Sequence, residues 1–124
     1  IWPVRRVWYR PDEGPAPGTG IPAIALLPED GWCDAPDHPA YNRPVSLPFP
    51  SSHERMWRED DLYNLVVELG YNDEPPVAGR GSAIFLHLAR PGYLPTEGCV
   101  ALAEADLREV VGRLTGSSTF EIRA

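Results

Sequence analysis

A histidine and a cysteine, separated by a short turn-rich stretch, are the residues of this sequence best suited to covalent chemistry. His87 lies near the end of an apolar segment, and Cys99 follows the turns. A thiol is mostly protonated at neutral pH, so a cysteine nucleophile needs a nearby imidazole that takes its proton or stabilises the thiolate. The pair therefore indicates nucleophilic catalysis if the chain reverses between the two residues.

The residues just before Cys99 suit a nucleophile turn. Gly98 lets the chain turn tightly without a side chain that blocks an approaching carbonyl, and adjacent amides can then face a developing oxyanion. Thr96 can stabilise this turn by hydrogen bonding. Taken separately, a core histidine with a satisfied ring and a buried cysteine are the favoured explanations of His87 and Cys99.

Cys33, the second cysteine, leaves two further interpretations open. One is a disulfide with Cys99. The other is a metal site with Asp34, Asp37 and His38, although no spacing here matches a structural zinc pattern. Simple burial of Cys33 is favoured over both, and no metal or cofactor is predicted.

The elements that must hold His87 and Cys99 are predicted to be mainly β. The 124 residues include 15 Pro and 11 Gly, a content that favours short strands joined by turns. Apolar and β-branched segments predict strands at residues 4–9, 21–27, 62–69, 82–89 and 119–122. Turn signals dominate residues 28–50, which are expected to be irregular loop.

Two helices are predicted beside these strands. Four apolar residues recur at i, i+3, i+4 and i+7: Leu107, Val110, Val111 and Leu114. This spacing places them on one face of a helix near residues 104–115, and Gly116 suits its C-terminal end. Ser51 or Ser52 can cap a second, two-turn helix over residues 53–58.

Size and charge narrow the class of protein. The length suits one domain, residues 1–124. A formal charge of −7 provides no clustered basic surface, so nucleic acid is not an expected partner. No apolar run approaches the length of a membrane span, so membrane insertion is not predicted. The sequence does not indicate an oligomeric state.

Residues 87–102 resemble the active-site signature of the L,D-transpeptidase (YkuD) family, in which a His is followed at a distance by Ser/Thr-x-Gly-Cys. Here the second part is Thr96-Glu97-Gly98-Cys99. The wider resemblance is to a bacterial subgroup of that family and covers most of the chain. It includes residues 31–34, 41–44, 52–54 and 81–87.

The resemblance implies a mainly β fold, a YkuD-like sandwich or barrel with a few short helices. It implies that Cys99 attacks a peptidoglycan stem peptide to form a thioester, with His87 as base and with Gly98 and Thr96 at the oxyanion turn. A terminal D-residue is released before the acyl group passes to an amine. The implied location is the periplasm or cell envelope, and no cofactor is implied.

Three positions differ from the better-studied members of the family. Glu97 replaces a second His, Leu88 replaces a Gly, and Ala101 replaces an Arg that anchors substrate. The first strands of the family domain, with a Thr-Pro-x-Gly segment, also have no counterpart here, so the chain is expected to be truncated at its front. Arg90 is a candidate for binding a substrate carboxylate instead.

Further candidates for substrate binding are three polar residues in segments that resemble the family: His53, Tyr71 and Asn72. Such residues also satisfy loops, so both roles stay open.

Two alternative functions stay open as well. Water in place of the amine gives a hydrolytic L,D-carboxypeptidase or amidase with the same thioester. A catalytically inactive wall-binding domain of the same fold is favoured by Glu97, Ala101 and the missing front segment.

Overall fold

The computed structural model describes residues 2–89 and 100–121. Its described part is mainly β, which confirms the predicted fold class. The strands are β1 (Trp2–Tyr9), β2 (Ala23–Ala25), β3 (Asp30–Cys33), β4 (Pro44–Ser46), β5 (His53–Arg55), β6 (Leu65–Leu69), β7 (Phe85–Leu88), β8 (Val100–Leu102) and β9 (Thr119–Phe120). The helix α1 spans Glu104–Arg113.

The strands form two sheets. The main sheet has the order β2-β1-β6-β7-β8, and β9 also pairs with β1. Strand β6 runs antiparallel to both of its neighbours, whereas β8 runs parallel to β7. The small sheet has the order β4-β3-β5 and is antiparallel. The strand β7, which carries His87, thus lies inside the main sheet rather than at its edge.

One face of the main sheet packs against α1. The helix buries Leu107 and Val111 in an aliphatic cluster with Val7, Val67 and Leu86. The i, i+4 spacing of Leu107 and Val111 puts both on the side that meets the sheet. The predicted helix near residues 104–115 is confirmed, with its last helical residue at Arg113.

The other face of the main sheet packs against the small sheet. Trp32 of β3 lies in a cluster with Trp8, Val66 and Phe85 of the main sheet, and its ring meets that of Phe85 edge-on at 5.1 Å between centroids. Alternate residues of a strand point to opposite faces. The same strands therefore supply an aliphatic face towards the helix and an aromatic face towards the small sheet.

Two predictions of local structure were wrong. Residues 28–50 contain β3 and β4, and the predicted helix over residues 53–58 begins as β5, whose Glu54 pairs with Trp32. A two-turn helix is marginal by itself, so pairing with a distant strand outweighs a serine cap. Strands of three or four residues are too short for a periodic pattern to reveal.

Within residues 2–89 and 100–121, no helix is both long and apolar enough to cross a bilayer.

Candidate active site

Of the two predicted catalytic residues, His87 lies within the described part of the chain. It is the third residue of β7 and is only 3% exposed. Its Nδ1 lies 2.8 Å from the carbonyl oxygen of Leu88. A carbonyl only accepts hydrogen bonds, so Nδ1 carries a proton in this arrangement, and whenever the ring is neutral Nε2 carries the lone pair. The ring is thereby set up to take a proton at Nε2.

Backbone hydrogen bonds hold the chain just before and just after the carbonyl that accepts this bond. The Leu88 amide donates to the carbonyl of Leu62 at 3.1 Å, and the Ala89 amide donates to the carbonyl of Leu102 at 2.7 Å. The Leu88 carbonyl therefore belongs to a backbone segment tied to β8 and to the segment before β6. The sheet therefore sets the direction of the carbonyl that the imidazole meets.

The imidazole of His87 packs against the ring of Tyr63. The ring of Tyr63 meets it at 5.3 Å between centroids, and Tyr63 also meets Phe85 edge-on at 5.7 Å. Both residues are buried, with 4% and 0% of their surface exposed. Because these residues are buried, the local dielectric is low, and hydrogen bonds to the imidazole are stronger than they would be in water.

The strand next to His87 is the one that follows the predicted nucleophile in sequence. His87 pairs with Ala101, and Leu86 pairs with Val100. Cys99 directly precedes Val100 in the chain. Cys99, Gly98, Thr96 and Arg90 lie outside the described residues, so their assigned roles stay predictions.

His53 makes local contacts. It lies in β5 opposite Cys33. Its Nδ1 is 2.9 Å from the Ser51 carbonyl, and its ring meets that of Phe49 edge-on at 5.9 Å. These contacts stabilise the turn before β5, and its role in substrate binding stays a prediction.

Tyr71 and Asn72 organise the loop after β6. The Tyr71 hydroxyl donates to the Arg80 carbonyl at 2.7 Å, and the Asn72 amide donates to the carbonyls of Val77 and Gly81. His87 pairs near the start of β6, with Val66, whereas this loop follows the end of β6. The structure therefore places these two residues beyond the far end of β6 from His87, where they contact their own loop, and their role in substrate binding stays a prediction.

A charged cavity of about 470 Å³ is lined by β1, β6 and the loop after β6, together with residues of β2, β3 and the segment before β4. A register shift between Val4 and Arg6 lets the consecutive Arg5 and Arg6 both line it. Arg5 pairs with Asp73 at 3.0 Å, and Arg6 pairs with Glu68 at 2.8 Å. These charges are largely compensated within the protein, and the lining residues of the described part do not include His87.

A family model provides the decisive comparison. The model of the YkuD L,D-transpeptidase catalytic domain matches residues 1–122 of the 124. The chain belongs to the YkuD family. Neither a curated protein nor a solved structure matches the chain significantly.

Membership of the YkuD family gives the coarse chemistry. The family consists of cysteine acyltransferases, acts on peptidoglycan and is typically associated with the cell envelope. A buried histidine with a set tautomer is a side chain that such chemistry needs. The match also supports the resemblance predicted from residues 87–102.

Cys33 has a structural position in this YkuD chain. It is a free thiol in β3 with no exposed surface. Its backbone amide donates to the Arg43 carbonyl, and its own carbonyl accepts from the Ser82 hydroxyl at 2.9 Å. Burial, the interpretation favoured from the sequence, describes this residue. Across the described ranges, no group of three or more His, Cys, Asp or Glu side chains could hold a metal ion.

Sequence reasoning missed three residues near or behind the site. Tyr63 contacts His87, Glu54 accepts a hydrogen bond from the Tyr63 hydroxyl, and Glu68 is a buried carboxylate in β6. Of these three residues, only Glu68 could have been identified from the sequence, because a carboxylate inside the apolar run of residues 65–69 needs a buried partner. Tyr63 and Glu54 come together only through tertiary packing.

Proposed function

We propose that this chain is an L,D-transpeptidase that acts on peptidoglycan stem peptides, with Cys99 as nucleophile and His87 as base. The supporting observation is the hydrogen bond from Nδ1 of His87 to the Leu88 carbonyl. It makes Nε2 the proton-accepting atom of a neutral imidazole. Cys99 is joined by a peptide bond to Val100, and the strand of Val100 is the hydrogen-bonded neighbour of the strand that carries His87. This proximity in the chain supports the pairing of thiol and imidazole.

The proposed reaction has two steps that share one thioester. In the first, the proton of the Cys99 thiol passes to His87, and Sγ attacks the carbonyl that precedes the terminal D-residue of a tetrapeptide. The S–C bond forms, the C–N bond breaks, and His87 returns the proton to the leaving amine.

In the second step, an acceptor amine of another stem peptide attacks the thioester carbonyl. The new C–N bond forms, the S–C bond breaks, and the proton of the amine passes through His87 to the Cys99 sulfur. The thiol is regenerated, and no cofactor takes part.

Three further residues have proposed roles in this reaction. Gly98 and Thr96 shape the turn whose amides stabilise the oxyanion. Arg90 binds a substrate carboxylate through a charge-assisted hydrogen bond. We further propose that residues 1–124 form one catalytic domain that works in the periplasm or cell envelope.

Defined disaccharide tetrapeptides provide the direct test. The purified chain is incubated with them, and the products are separated and identified by mass spectrometry. The expected products are crosslinked dimers together with the released D-residue, and an acyl group of matching mass on Cys99. Trimmed tripeptides without dimers would identify water as the acceptor and favour the hydrolase.

Two cysteine variants make the control specific. Cys99→Ala should abolish all products, whereas Cys33→Ala should retain them because Cys33 is buried in the small sheet. A small alkylating reagent should also label Cys99 faster than Cys33. Products that persist in Cys99→Ala, or a folded wild-type chain that forms none, would contradict the proposal.

A further inference from the structure

The segment before β6 holds His87 in two ways. The Leu62 carbonyl accepts the amide of Leu88, whose carbonyl in turn accepts Nδ1 of His87. The next residue, Tyr63, places its ring 5.3 Å from the imidazole centroid at an angle of 62°. One short segment therefore contacts both the ring of His87 and Leu88, the residue whose carbonyl that ring meets.

The orientation of Tyr63 is set from the small sheet. Its hydroxyl donates to Oε1 of Glu54. Glu54 is the middle residue of β5 and pairs with Trp32 of β3. A hydrogen bond from a phenol to a carboxylate is charge-assisted and therefore among the stronger ones. It selects one direction for the plane and tip of the tyrosine ring.

Arg58 covers the same pair from the outside. Its guanidinium carbon lies 4.9 Å from the centroid of the Tyr63 ring, and its Nη1 lies 3.7 Å from Oε1 of Glu54. Glu54 and Arg58 are both about a quarter exposed, at 28%. Arg58 thus partly compensates the charge of a carboxylate that is mostly withdrawn from water.

This arrangement is costly for a purely packing role. Burial raises the pKa of Glu54 in spite of the hydrogen bond from Tyr63 and the charge of Arg58, both of which lower it. Replacing a buried polar pair with apolar side chains of similar shape is often neutral or stabilising. A phenylalanine at position 63 beside an apolar residue at position 54 would fill the same space without the free-energy cost of burying polar groups. The polar pair therefore points to an orienting role.

We infer that Tyr63 is a positioning residue for His87 and that Glu54 of the small sheet holds Tyr63 in place. The inference rests on the proposed function, in which His87 is the base. Tyr63 keeps the imidazole in the orientation in which Nδ1 meets Leu88, so that Nε2 keeps one direction. The small sheet thereby supports a reaction that takes place on strands of the main sheet.

Four variants separate orientation from packing. Tyr63→Phe keeps the ring and removes the hydroxyl, and Glu54→Ala removes the acceptor. Glu54→Gln keeps an oxygen that can accept the bond and should restore most of the activity. The matched control is Tyr41→Phe. Tyr41 is also buried, with 6% of its surface exposed, and its hydroxyl accepts a hydrogen bond from the Gly81 amide.

The kinetic expectation is a loss in kcat without a change in KM. Tyr63→Phe and Glu54→Ala should each lower kcat about 10-fold, because a small misplacement of a catalytic group is costly. Glu54→Gln and Tyr41→Phe should stay within about two-fold of wild type, and KM should change by less than about two-fold in all four. An equal loss of kcat in Tyr41→Phe would overturn the inference, since general loosening would explain it.

A second readout does not depend on catalysis. Labelling the three histidines with ¹⁵N, and assigning His87 by its loss in His87→Gln, reports the tautomer in each variant. Wild type, Glu54→Gln and Tyr41→Phe should show one tautomer protonated at Nδ1. Tyr63→Phe and Glu54→Ala should shift both ring nitrogens towards a mixture of tautomers.

The two readouts separate the two proposals. Unchanged ¹⁵N signals of His87 in Tyr63→Phe and Glu54→Ala would overturn the positioning role whatever the activity. A wild-type protein that transfers no acyl group, yet shows the expected ¹⁵N changes, would overturn the proposed function and leave the positioning of His87 supported.

Discussion

The two faces of the main sheet bury different kinds of side chain. Towards α1 the sheet presents aliphatic residues such as Val7, Val67 and Leu86, none of which needs a hydrogen-bond partner. Towards the small sheet it presents aromatic residues, and the carboxylate of Glu68 and the imidazole of His87 are buried beside them. Burying polar groups costs free energy unless they are hydrogen-bonded. The helix face therefore buries only apolar groups, whereas the small-sheet face also holds the polar groups, among them the proposed base His87.

The largest expected effect is on the small-sheet face. His87→Ala should lower the rate of acyl transfer about 10²–10⁴-fold, the range that a general base contributes. The matched control is Leu86→Ala, which changes the adjacent residue of β7 on the helix face. Leu86→Ala should lower the free energy of unfolding, which urea titration measures. The rate of acyl transfer per folded molecule, measured by product formation, should stay unchanged. His87→Ala with more than about a tenth of the wild-type rate would exclude His87 as base.

The second prediction concerns the helix face. Leu107 has no exposed surface, so Leu107→Ala should lower the free energy of unfolding by about 2–5 kcal/mol through lost burial and a residual cavity. Urea unfolding followed by tryptophan fluorescence measures this change. Activity per folded molecule should not change. A cost below about 1 kcal/mol would mean that α1 contributes little to the core.

The third prediction concerns Glu68 on the small-sheet face. Its carboxylate accepts from Nε1 of Trp8 at 3.0 Å and pairs with Nε of Arg6 at 2.8 Å. Glu68→Ala leaves the buried indole N–H without this partner and should cost about 1–3 kcal/mol. In Trp8→Phe that donor is absent, so Glu68→Ala should cost less in that background. Equal costs in both backgrounds would show that the indole bond adds no stability.

The fourth and smallest prediction is a pH dependence from Glu54, whose carboxylate faces Tyr63, Arg58 and Asp34. Burial raises its pKa in the folded state above the ordinary value of 4.5. Between those two values the unfolded state has lost the proton while the folded state keeps it. Stability therefore falls as pH rises through this window and levels off above the folded pKa.

Glu54→Gln removes this titration and supplies the comparison. The free energy of unfolding of wild type minus that of Glu54→Gln should decrease as pH rises from about 4 and then become constant. Urea titrations at a series of pH values measure it. A difference that increases with pH would mean that the hydrogen bond and Arg58 outweigh burial.

Much of the fold was predictable because its longer elements carry periodic or compositional signals. The strands at residues 4–9, 62–69 and 82–89 and the helix near residues 104–115 are present in the structure, the first strand with a longer range and the other elements with shorter ones. The errors fell on the small sheet, where β5 was predicted to be a helix and β3 and β4 to be loop. Each strand of the small sheet is too short to show a period and forms only by pairing with a distant one.

The candidate site also has a part that could be predicted from the sequence and a part that could not. His87 and Cys99 could be named as candidates from residue type, spacing and the family resemblance, because a thiol nucleophile needs an imidazole, and their roles stay predictions. The tautomer of His87 could not be predicted from the sequence, since it depends on how the ring lies against the Leu88 carbonyl. Tyr63 and Glu54 could not be chosen either, because no spacing relates a residue of β5 to the residue that packs on His87.

By itself, the sequence determined the mainly β class and the amphipathic helix and supplied candidate residues for acyl transfer, because periodicity, turn residues and chemical reactivity are local properties. Only the tertiary structure decided which face of the sheet His87 occupies, which nitrogen of its ring carries the proton, and that the small sheet reaches it through Glu54 and Tyr63. These depend on contacts between residues far apart in the chain, and such contacts exist only once strands have paired and the two sheets have packed.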